Sequence, residues 1–84
     1  MSPKFREQNG FIFKIYSNEE TRVHIHIIKA DKEAKFWLEP KVELAENHGF
    51  NNKEIKFIEE IIDIYGDEFK IKFTRHIGKR LDDK

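Results

Sequence analysis

At Gly49 the apolar residues of this chain change period, from two on the N-terminal side to the helical three and four on the C-terminal side. A run of strands followed by one long helical stripe fits few architectures, and the simplest lays the helix across one face of an antiparallel sheet. The sequence therefore predicts an α+β domain: a three- or four-stranded antiparallel meander with a long or kinked C-terminal helix packed on one face.

The strand side begins at Gly10. Phe11, Phe13 and Ile15 alternate with Ile12, Lys14 and Tyr16, and the polar stretch Ser17-Asn18-Glu19-Glu20 predicts a turn that sends the next strand back antiparallel. That return is Thr21 to Lys29. Successive side chains of a strand point to opposite faces, so Val23, Ile25 and Ile27 form one face, read as core. Arg22, His24, His26 and Ile28 form the other, where chemistry is expected. After Ala30-Asp31-Lys32 the alternation resumes, with Ala34, Phe36 and Leu38 opposed to Glu33, Lys35 and Trp37. Pro40 marks a strand end, and Val42 and Leu44 suit a short fourth strand.

The helix carries a full start signal. Asn51 caps, Glu54 closes a capping box three residues on, and Phe50 and Ile55 occupy the two positions of a hydrophobic staple. The stripe then runs Ile55, Ile58, Ile62, Tyr65, Phe69, Phe73. Gly66 is expected to kink the helix or divide it in two. Phe69 to Phe73 also alternates as a closing strand would, but both rings continue the stripe and favour helix. Gly78 suits a C-cap. Residues 1–9 read as a flexible arm tacked down by Phe5, residues 10–78 as the domain, and residues 79–84 as a frayed tail.

Bulk properties narrow the function. With 84 residues there is room for one domain, and 38% hydrophobic content with eight Phe suffices for a core. Sixteen basic and sixteen acidic residues cancel, so no global field draws in nucleic acid or an anionic membrane. Cysteine is absent, removing disulfides, thiolate metal sites and a thiol nucleophile together. No apolar leader opens the chain and no apolar run is long enough to span a bilayer, so a cytoplasmic protein without membrane contact is expected. There is no Gly-rich phosphate loop, nucleophile elbow or His-Glu-x-x-His, and no cofactor is implied. A meander leaves two sheet edges, and pairing one with a second copy is a low-cost solution.

The chemistry-bearing feature is His24-Ile25-His26, two imidazoles on one strand face. Three functional readings follow. As a metal site the pair needs a third ligand from distant chain, with Glu33, Glu43, His48 and His76 as candidates. As an acid and base, His24 and His26 have the chemistry of a metal-independent ribonuclease, with Arg22 or Lys35 to stabilise phosphorane charge. As a recognition surface, Tyr16, Arg22, His24, His26, Lys35 and Trp37 combine aromatic and cationic groups of the kind that hold single strands. The structural alternative keeps the histidines as half-exposed, hydrogen-bonded strand residues, with Trp37 closing a small cluster beside Ile12 and Ile28. Lys53, Lys56, Glu59, Glu60 and Asp63 read as the solvated helix face.

The order of pieces resembles a family of small bacterial proteins, the domain-of-unknown-function family forty-one-sixty. The resemblance rests on Phe11 to Tyr16, His24-Ile25-His26-Ile27, Lys32 to Pro40 with its Ala34-Lys35-Phe36-Trp37-Leu38 run, Val42 to Ala45, and Asn47-His48-Gly49-Phe50. Members typically carry Pro-Pro before the first histidine, where this chain has Arg22-Val23. They also tend to show Trp and Tyr near the end of the last helix, where Phe73 and His76 stand here. The resemblance implies an accessory component of a two-gene arrangement similar to a toxin–antitoxin pair, with a small protein partner and RNA or DNA as the downstream target. Of the family's motif, His24 and His26 match residue by residue and are the functional positions it implies. The leading expectation is a non-enzymatic binding component.

Overall fold

The computed structural model describes residues 4–16 and 21–82. The expected turn at 17–20, the start of the arm and the last two residues of the tail lie outside them. The elements are β1 (Lys4–Gln8), β2 (Phe11–Lys14), β3 (His24–Lys29), β4 (Lys32–Trp37), β5 (Glu43–His48) and α1 (Asn52–Asp82). The strands form one antiparallel sheet in the order β1-β2-β3-β4-β5. The α+β meander is as expected, but it has five strands rather than three or four.

The additional strand comes from the segment read as an arm. Asn9 and Gly10 connect Gln8 to its partner Phe11, and both have positive φ, 52° and 83°. Two positive-φ residues in a two-residue loop match the primed hairpin turns, whose twist agrees with that of the strands they join. Asn-Gly is the strongest short-range hairpin signal, and it turns Lys4–Gln8 back along β2. Phe5 then reaches the helix, its ring centroid 6.3 Å from that of Phe69. Arg6 lies 3.6 Å from the centroid of the Tyr65 ring and donates to its hydroxyl at 2.8 Å.

The core is a sandwich of the sheet's inner face and the helix stripe. Phe11, Phe13, Ile15, Ile25, Ile27, Ala34, Phe36 and Leu38 meet Phe50, Ile58, Ile61, Ile62, Phe69, Phe73 and Ile77, all buried. Phe13 stacks on Phe69 at 5.6 Å and Phe11 on Phe50 at 5.7 Å. Burial of each such ring contributes about 1.5–3 kcal/mol. Val23, expected in the core, is half-buried at its margin.

The helix start forms as the sequence predicts. Asn51 Oδ1 accepts from the Glu54 amide at 2.8 Å, and Glu54 Oε1 accepts from the Asn51 amide at 3.0 Å. Lys32 at the head of β4 donates to the same carboxylate at 2.9 Å, tying sheet to helix. Just upstream, the Asn47 amide group bonds both the carbonyl and the amide of Phe50, at 3.0 and 3.1 Å.

Two helix expectations are corrected. α1 is not divided in two at Gly66 but continues through it, because a buried stripe runs on both sides and holds the turn in place. Gly78 is not a C-cap, since the helix runs on to Asp82. The strand alternative for Phe69 to Phe73 is also excluded, as both rings are buried on the helix. β5 occupies the predicted place of the fourth strand, but Val42 and Leu44 are 47% and 41% exposed, beyond the cover of the helix.

Candidate functional site

The site is built at the end of the sheet where β3 begins and β4 finishes. Antiparallel pairing sets His24 opposite Trp37 and His26 opposite Lys35, so these four side chains share one face by register alone. Tyr16, just past the end of β2, joins them through His26, with ring centroids 4.6 Å apart. The two imidazoles stand edge to face at 5.3 Å, and His24 meets Trp37 at 5.9 Å. All six residues expected on sequence grounds as a recognition surface, Tyr16, Arg22, His24, His26, Lys35 and Trp37, fall in one contiguous cluster.

The cluster is layered. His24 is fully buried, and on its helix side it contacts Phe73 at 5.1 Å. Its Nδ1 lies 2.6 Å from the Arg22 carbonyl oxygen, which only accepts, so Nδ1 carries the hydrogen. Above it, His26 and Lys35 are nearly closed off, at 8% and 9% exposure. The alternation of polar and apolar residues suggests an open second face, and the structure differs because aromatic rings and lysine stems cover it. Outermost come Trp37, half-buried, and Arg22, exposed. The Arg22 guanidinium lies 4.0 Å from the Trp37 ring centroid and the Lys35 ammonium 4.4 Å from it.

Carboxylates complete the electrostatics. Glu33 Oε2 accepts from the Tyr16 hydroxyl at 3.0 Å and lies 3.3 Å from His26 Nδ1. Arg22 donates through Nε to the Glu39 carbonyl at 3.1 Å and comes within 4.0 Å of the Glu43 carboxylate. Glu33 and Glu43 are metal-ligand candidates on sequence grounds, whereas nothing in the sequence pattern places Phe73 and Glu39 at the cluster. Glu33 was recoverable, because it stands two residues from Lys35 and so lies diagonal to His26 across the strand pair. Phe73 was not, because only the helix packing brings it to the start of β3.

The remaining metal candidates lie apart. His48 pairs with Glu46 at 3.2 Å on exposed β5. His76 is half-buried within α1, its Nε2 enclosed with no hydrogen-bond partner among the described residues. It lies inside the helix, which continues to Asp82. No group of three or more His, Cys, Asp or Glu side chains able to hold a metal occurs among the described residues. Among the described residues no helix is long and apolar enough to cross a membrane.

No curated protein and no solved structure matches the chain. Residues 10–74 match the family of the domain of unknown function DUF4160, a span that runs from the β1–β2 turn through β2 to β5 and most of α1, and that contains every residue of the cluster. The chain belongs to the DUF4160 family.

Proposed function

We propose that this protein is a non-enzymatic binding component of a small bacterial two-gene module of toxin–antitoxin type, and that it holds its partner, a small protein or a nucleic acid, through the Arg22 and Trp37 surface. The observation that carries the reading is the enclosure of His24. An acid and a base acting on a phosphodiester must each come within hydrogen-bond reach of a substrate atom. His24 is fully buried between Trp37, His26 and Phe73, with Nδ1 committed to the backbone. It serves as a strut under Trp37.

What reaches the surface is a cation held against an aromatic ring. Arg22 is restrained by the Glu39 carbonyl and by the ring, so less side-chain entropy is lost when it meets a carboxylate or phosphate. The test is capture from the native host by tagged wild-type protein, beside an Arg22→Ala, Trp37→Ala double variant of confirmed fold. Loss of the captured partner with the variant supports the reading; equal capture by both overturns it. RNA cleavage by the purified protein in EDTA, abolished by His26→Asn, would favour a ribonuclease instead.

A further inference from the structure

The two edges of the sheet are not alike. β1 is closed over by the helix: Phe5 packs on Phe69, Arg6 lies against Tyr65, and the Phe5 carbonyl accepts from Lys72 at 3.1 Å. Among the described residues β5 has no such cover: its backbone takes no hydrogen bond from any side chain or strand beyond β4, and five of its six residues are exposed. An uncovered edge presents a row of donors and acceptors that another extended chain can complete.

The side chains along that edge specify what such a chain would carry. On the helix side Leu44 pairs with Phe36, and it lies exposed with Val42, so an apolar strip continues past the cover of α1. Val42 also lines a cleft of about 370 Å³ with Lys56, Glu59, Glu60 and Asp63 of the helix flank. On the opposite face Glu43 pairs with Trp37 and Glu46 with Lys35; the register shift between Lys35 and Phe36, which leaves Ala45 without an opposite residue, puts both carboxylates on the side away from the helix. Glu59, Glu60 and Asp63 flank the edge with Lys56, while on the edge itself Glu43 lies 4.0 Å from Arg22, and Glu46 lies opposite Lys35 and 3.2 Å from His48, so the acid excess sits on the cleft beside Val42. A second copy paired antiparallel with Glu43 opposite Glu46 would bring acid to acid.

We infer that β5 is the docking edge for an extended segment of a different protein, with basic side chains alternating with apolar ones. Its apolar residues lie beside Val42 and Leu44, and its lysines or arginines lie beside Glu43 and Glu46. Cross-strand pairs of opposite charge and of apolar groups each stabilise such an addition, and like charges oppose it. The inference shares Glu43 with the Arg22 and Trp37 surface, since that carboxylate lies opposite Trp37 and 4.0 Å from Arg22, but it invokes backbone pairing at an edge and not the cation held on the ring.

The probe is a synthetic peptide of alternating Lys and Val with the length of β5, six residues, compared with its Glu and Val counterpart. Amide hydrogen exchange of the full chain is followed. The Lys peptide is expected to slow exchange across Glu43–His48 by about tenfold at saturation and to leave β1 unchanged, while the Glu peptide does neither. A Glu43→Lys, Glu46→Lys variant should reverse the preference, and Ala45→Pro should abolish protection by either peptide. Protection elsewhere, equal effects of both peptides on wild type, or concentration-dependent self-association through β5 in sedimentation would each overturn the inference. The wild-type comparison decides the matter even where a variant fails to fold.

Discussion

The Nδ1 of His24 donates to the carbonyl oxygen of Arg22 across 2.6 Å, so the buried imidazole is anchored to the backbone of the residue whose guanidinium covers Trp37. Position and exposure are divided between the two residues. His24 fixes the geometry from beneath, and Arg22 presents it. Substitution of His24 by Ala removes a fully buried ring and leaves a cavity beside Phe73, so thermal and denaturant unfolding should show a loss of about 2–4 kcal/mol. Arg22→Ala, at an exposed side chain, should cost about 1 kcal/mol or less.

The Glu54 carboxyl supplies a pH-dependent part of the stability. Its bond from the Asn51 amide, and then that from Lys32, hold its pKa below the usual carboxylate value. A group depressed on folding stabilises the native state above its unfolded pKa and loses that contribution as pH falls through the folded value. Glu54→Gln should therefore unfold at a lower temperature than wild type at neutral pH. The gap should close as the pH is lowered from about 6 to about 3. A gap that stays constant would assign the effect to packing.

Backbone conformation gives predictions of opposite chemistry at two positions. Ala30, in the turn between β3 and β4, has φ +56°, a region that costs a residue with a Cβ about 1–2 kcal/mol. Ala30→Gly should raise the stability by a fraction of that, offset by the unfolded-state entropy of glycine. Gly66 is the reverse case, because it lies inside α1 and an added Cβ would meet only Ile62 Cγ2, at 3.8 Å. Gly66→Ala should stabilise by up to about 1 kcal/mol, readable from the denaturant midpoint.

Docking of the first strand is testable in the same way. Phe5 joins β1 to the helix through Phe69 and through the carbonyl that receives Lys72. Phe5→Ala should destabilise by about 1–3 kcal/mol and speed hydrogen exchange in Lys4–Gln8 more than in β3, since an edge strand opens before a central one. Equal acceleration in both strands would mean that the sheet opens as one unit.

Local chemistry explains which parts could be read in advance. Alternation at Phe11, Phe13, Ile25, Ile27 and Phe36, and the reciprocal signals at Asn51 and Glu54, are short-range features, and they formed as expected. The Asn9-Gly10 turn was equally local, but the polar composition of Lys4–Gln8 concealed the strand it reverses. Four residues of the cluster, His24, His26, Lys35 and Trp37, follow from register once the β3–β4 hairpin is placed, and Tyr16 and Arg22 flank the strands that carry the histidines and their neighbours. The burial of the cluster could not be read in advance, because Phe73 lies 49 positions along the chain from His24 and reaches it only through the packing of α1. The exposure of Val42 and Leu44 escaped the pattern for a similar reason: alternation marks a strand and does not say how far a helix extends over it.

The central claim is that the histidines support and Arg22 with Trp37 binds. Its most direct measurement is partner affinity, by calorimetry with the captured partner, for wild type, Arg22→Ala and His26→Asn, each shown by circular dichroism to be folded. The account predicts that Arg22→Ala weakens binding at least about tenfold with little change in stability, and that His26→Asn, where folded, retains most of it. Unchanged affinity in Arg22→Ala together with loss in His26→Asn would contradict it and return the chemistry to the imidazoles.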